Sequence, residues 1–81
     1  MLVDSSQINN LLEEITLTKE EYNNLTIQEL AIKCGIMTSK LIRFCFKHGI
    51  YVSAYTSLKT IYELDIIKVI KDEFNKTLII K

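Results

Sequence analysis

The chain has 81 residues, 48% hydrophobic and 25% charged, with a formal net charge of zero, which excludes a multidomain protein and an intrinsically disordered one. No apolar run exceeds three residues (Leu30-Ala31-Ile32 and Phe44-Cys45-Phe46 are examples), so no membrane-spanning helix is predicted. The opening MLVDSSQINN lacks the basic and apolar regions of a signal peptide, and two cysteines are too few for a secreted disulfide scaffold, so an intracellular domain is expected.

With no proline and only two glycines, Gly35 and Gly49, helix is the default and the glycines mark its stops. The expected fold is all-α: a small bundle of about four helices in a single domain spanning 1–81. The first helix is expected to begin near Asp4-Ser5-Ser6 and to bury Ile8, Leu11, Leu12 and Ile15, a stripe at helical spacing. Thr18-Lys19-Glu20-Glu21 has capping-box spacing and predicts a further turn, ended by Asn23-Asn24. A second capping box, Thr26-Ile27-Gln28-Glu29, opens a short helix carrying Leu30, Ala31 and Cys34, with Gly35 at its left-handed terminus. Thr38 or Ser39 caps the next helix, which runs through Leu41, Phe44 and Cys45 to His48-Gly49. Ser53 is the expected cap of a longer last helix, about 54–71, whose apolar stripe is Tyr55, Leu58, Tyr62, Ile66 and Val69. A tail follows at 72–81, and its end, Thr77-Leu78-Ile79-Ile80-Lys81, is compatible with a strand or the first turn of a helix.

Charge is unevenly spread. Residues 1–30 hold six acids and one base, whereas residues 31–60 hold five bases (Lys33, Lys40, Arg43, Lys47 and Lys59) and no acid. A neutral chain with a purely basic middle suits a polyanionic partner, unless the acidic first third folds back on it. Within that middle, two short capped helices around Gly35 form a helix-turn-helix pattern over about 26–48. Ala31 permits close helix approach, Gly35 supplies positive φ, and Ile36 and Leu41 plug the second helix onto the first.

The stretch Leu25-Thr26-Ile27, Glu29-Leu30-Ala31, Gly35-Ile36, Leu41 and Arg43, followed by Gly49, Ser53 and Tyr55, resembles the AraC/XylS family of bacterial transcription regulators. The likeness covers roughly 5–71 and corresponds to one of that family's two helix-turn-helix units plus its linker helix, here 54–71. One residue is missing between Arg43 and Gly49, and Thr60 stands where the linker helix usually carries a base, with Lys59 beside it. A MerR-like or excisionase-like motif opens in the same way, but its arginine and second glycine fall one residue earlier.

The resemblance implies a cytoplasmic bacterial regulator; the density of Asn, Ile and Lys fits an AT-rich genome, and a viral origin would place the protein inside a host cell. The expected function is binding of duplex DNA in the major groove through the helix at about 39–47, as a homodimer or with a partner protein. On a helical wheel Ser39, Lys40, Arg43 and Lys47 oppose the apolar side. Arg43 is the candidate for a guanine contact and Ser39 for a base edge or phosphate; Lys40 and Lys47 are candidate phosphate clamps. Ile42 and Phe46, with Leu64 and Ile67 of the last helix, fall off the main stripes. They are candidates for a protein interface, and the alternative function is an interaction module that binds a regulator or polymerase subunit. Cys45-x-x-His48 has ligand-like spacing, but a closed zinc site needs four ligands and the thiols fall on core faces. No cofactor, metal, membrane or small-molecule substrate is expected, and the absence of phosphate loops, carboxylate pairs and nucleophile motifs argues against an enzyme.

Overall fold

The computed structural model describes residues 13–81. The order is strand β1 (Glu13–Leu17), helix α1 (Lys19–Asn24), helix α2 (Ile27–Cys34), helix α3 (Thr38–Lys47), a 3-10 turn (Leu58–Thr60), helix α4 (Glu63–Phe74) and strand β2 (Lys76–Ile80). The two strands pair in parallel, with Glu13 opposite Lys76, Ile15 opposite Leu78 and Leu17 opposite Ile80. The fold is therefore mixed α/β, and the all-α expectation is corrected. Ile15 lies in a strand rather than at the end of a first helix; Ile8, Leu11 and Leu12 lie outside the described residues. The β-branched residues Ile15, Thr16, Thr77, Ile79 and Ile80 suit the pleated surface. Alternation turns Ile15, Leu17, Leu78 and Ile80 to the core, while exposed Glu14 and Thr16 share the outer face with Thr77 and Ile79.

Both capping boxes form. The Thr18 hydroxyl accepts from Glu21 N–H at 3.0 Å while the Glu21 carboxylate accepts from Thr18 N–H at 2.9 Å. Thr26 and Glu29 repeat the exchange at 3.3 and 2.9 Å. Gly35 closes α2 at φ 70°, its N–H reaching the Ile32 carbonyl and that of Ile36 the Ala31 carbonyl. The cap of α3 is Met37, with no side-chain hydrogen bond; Thr38 is already helical, so neither expected hydroxyl cap is used.

The expected helix over 54–71 is also corrected. Its first half is a loop and a 3-10 turn, and the helix starts at Glu63 and continues to Phe74. Hydroxyl side chains account for the break. Ser53 N–H donates to Thr56 Oγ1 at 2.9 Å, and Thr60 Oγ1 donates to the Ser57 carbonyl at 2.7 Å, so local bonds replace helical ones. The loop in turn serves α2: the Thr56 and Ala54 carbonyls accept from Ile27 and Gln28 N–H, both at 3.0 Å, satisfying donors that a helix start leaves open. Tyr55 and Tyr62, expected on the core stripe, are instead 80% and 67% exposed, whereas Leu58, Ile66 and Val69 are buried.

One core joins these elements, with Leu17, Tyr22, Ile27, Leu30, Leu41, Leu58, Ile66, Ile70 and Leu78 among its buried side chains. Tyr22 is the one large side chain there with a polar end, and its hydroxyl donates to the Ile61 carbonyl at 2.9 Å. Burial, followed by the charges of Glu63 and Asp65, pushes that phenol up to about 12. Among the described residues no helix is long and apolar enough to cross a membrane.

Candidate nucleic-acid interface

The geometry of α3 follows from its packing. Leu41 and Cys45 are buried, and Phe44 and His48 are partly buried on the same side. At 100° per residue this leaves an outer arc of about 120° running from Phe46 through Ser39, Arg43 and Lys47 to Lys40, all exposed. The helix carries no acid. The corner at Gly35 sets α3 against α2 through buried Ala31 and Leu41, so the arc is turned to solvent by the same contacts that build the core.

The sequence-derived candidates separate into three kinds. Ser39, Lys40 and Arg43 are exposed, and among the described residues neither cation meets a carboxylate. Lys47 is engaged: its Nζ lies 3.5 Å from Glu73 Oε2 of α4 and 5.8 Å from the centroid of the Phe44 ring. The same Glu73 oxygen accepts from His48 Nε2 at 2.8 Å, and the Phe44 and Phe74 rings meet edge to face at 5.3 Å. The His48 hydrogen bond, opposed by burial and aided by Lys47, holds the Glu73 carboxyl below its usual range. Lys47 thus helps fasten the end of α3 to α4.

The four apolar candidates also divide. Ile42 and Ile67 are half-buried and pack against the core, whereas Phe46 and Leu64 are 63% and 60% exposed. Phe46 has a neighbour that helical periodicity alone does not reveal. Tyr51, 73% exposed, sits edge to face on it with centroids 4.7 Å apart and planes at 75°. Gly49, at φ 84°, reverses the chain between the two rings. A glycine just past a predicted helix, with an aromatic on either side of the reversal, is the signal that would have found this pair.

Among the described residues, the remaining chemistry-bearing side chains do not gather into a site. Cys34 and Cys45 are free and buried, and burial pushes both thiols up to about 11, with Lys76 partly opposing it at Cys34. Among the described residues no three His, Cys, Asp or Glu side chains are grouped to hold a metal ion. An open groove of about 480 Å³ lies between α1 and the start of α4, lined by Tyr22, Lys59, Ile61 and Tyr62, with Lys19 and Glu63 ion-paired across it at 3.4 Å. Comparison of the chain with family models, with curated proteins and with solved structures finds no match.

Proposed function

We propose that the protein is a small regulator that binds duplex DNA by setting α3 into the major groove, as a homodimer or beside a partner protein. The observation that carries this reading is the outer arc of α3, where Lys40 and Arg43 stand exposed and, among the described residues, no carboxylate pairs with them. Arg43 is the residue for a bidentate contact to guanine, Ser39 reaches a base edge or phosphate, and Lys40 clamps a phosphate. Lys47 stands beside them on the same arc, restrained by Glu73 at 3.5 Å, and clamps a further phosphate once that restraint is removed. The resemblance of the helix-turn-helix residues from Leu25 to Arg43 to one AraC/XylS unit supports the same reading, although the linker helix that the resemblance implied at 54–71 begins only at Glu63. A single such face makes few phosphate contacts, hence the need for a second copy or partner. Fluorescence anisotropy with a mixed-sequence duplex at low salt tests it. Binding that weakens steeply with salt and is lost in Arg43→Ala and Lys40→Glu is expected, and no binding at low salt refutes it.

The exposure of Phe46 and Leu64 favours a second reading, an interaction module that docks on a regulator or polymerase subunit. A reporter assay separates the two: loss of regulation in Phe46→Asp but not in Lys40→Glu supports the module.

A further inference from the structure

We infer that the Phe46–Tyr51 ring pair is a stacking platform for an unpaired nucleobase, so that the α3 face takes a nucleic acid in which a duplex borders a single-stranded nucleotide. This rests on the reading of α3 as a nucleic-acid face and specifies what that face selects.

Three observations point to it. First, the rings are exposed yet fixed. Each leaves most of its surface in solvent, and each limits the other's rotation by the edge-to-face contact. The backbone between them is pinned as well, because Gly49 N–H donates to the Phe46 carbonyl at 3.0 Å and Ile50 N–H to the Cys45 carbonyl at 2.8 Å. Ile50, between the glycine and Tyr51, packs against the core. A platform held this way loses little freedom when a base lands on it.

Second, the platform continues the cationic arc. Phe46 lies about 20° from Ser39 and about 60° from Arg43 around the helix axis. A nucleic acid with a phosphate on Lys40 and a base edge on Arg43 therefore brings a neighbouring nucleotide toward the rings. The surrounding charge suits a polyanion, since α3 carries only basic ionised side chains.

Third, ring faces and groove readout demand different things of the base. Bases inside a duplex are covered above and below by their neighbours and offer a groove-bound side chain only their edges. A ring face is used by a base that has left the stack, and base–aromatic stacking is tolerant of which base it is.

Anisotropy titrations test the inference with two probes: a short blunt DNA duplex and the same duplex bearing a single-stranded DNA overhang. The overhang probe is expected to bind about tenfold tighter, within the range of one stacked base. Phe46→Ala and Tyr51→Ala should erase that preference while leaving the blunt duplex within about twofold, and Phe46→Tyr, which keeps a ring, should retain it. Both positions are exposed, and a melting curve confirms that each variant folds. Equal affinity for the two probes, a preference that survives both alanine variants, or a parallel loss on both probes would overturn the inference and leave duplex binding standing. No binding to either probe overturns both.

Discussion

His48 Nε2 and Glu73 Oε2 lie 2.8 Å apart and join the last residue around α3 to the last turn of α4. Both side chains are largely shielded, at 18% and 14% exposure. A carboxylate can only accept, so Nε2 carries the proton in this bond. Because the bond lowers the pKa of Glu73 below its ordinary 4.5, the folded state holds the ionised form more favourably than the unfolded chain does. The stabilisation is then complete above the ordinary carboxylate range and is lost as pH falls through the depressed folded value. As pH falls below the ordinary carboxylate range, the urea midpoint of the wild type is expected to drop more steeply than that of Glu73→Gln.

The same carboxylate restrains Lys47, which gives the variant a second consequence. With Glu73 neutral, the Lys47 ammonium is released to the open arc of α3. Glu73→Gln should bind duplex DNA more tightly than wild type, and the slope of log affinity against log salt should steepen by about 0.9, the value for one added phosphate contact. An unchanged slope would mean that Lys47 faces no phosphate.

At the corner of the bihelical unit the backbone, not packing, sets the cost of change. Gly35 has φ 70°, and a Cβ added there would meet nothing within 4 Å. Gly35→Ala should therefore cost only the left-handed penalty, about 1–2 kcal/mol, and Gly35→Asn less because asparagine tolerates that region. Thr26→Ala removes a capping box and should cost about 1 kcal/mol. In a domain of this size each kcal/mol lowers the melting temperature by about 4–8 °C, which thermal denaturation resolves.

What could be read from the chain alone was what neighbours in sequence decide. Thr18 with Glu21, Thr26 with Glu29, and the left-handed Gly35 are each settled within a few residues, and so is the split of α3 into a Leu41–Cys45 side and an Arg43–Lys40 side. Three kinds of feature escaped. The strands pair residues as far apart as Glu13 and Lys76, and a five-residue run such as KTLII is too short for periodicity to distinguish strand from helix. Ser53, Thr56, Ser57 and Thr60 gave no apolar signal against helix, although their hydroxyls and carbonyls reroute the backbone. The engagement of Lys47 depends on how α4 docks, and the Phe46–Tyr51 contact on how Gly49 turns the chain.

The two cysteines offer a measure of how tightly the core closes. Both are buried, and thiols raised to about 11 are only about 0.1% thiolate at pH 8, the form that alkylates. Iodoacetamide should leave the native protein unmodified while labelling two thiols in urea. Rapid native labelling would show that α2 and α3 separate without global unfolding.

The parallel pairing of β1 with β2 can be tested through neighbouring residues of one strand. Leu78 is 2% exposed and opposes Ile15 on the core side, whereas Ile79 opposes Thr16 on the outer face. Truncating a buried leucine costs about 2–5 kcal/mol through lost burial and the cavity left behind. For a domain of this size that is a large share of total stability, so Leu78→Ala should leave the protein marginally folded at best. Ile79→Ala should cost under about 1 kcal/mol, since a half-buried side chain on the outer face leaves no cavity. Urea denaturation of the two variants reads the difference directly. Because side chains alternate, a shift of one residue in the pairing would exchange the two faces; a larger loss at Ile79 than at Leu78 would rule out the register that sets Glu13 against Lys76.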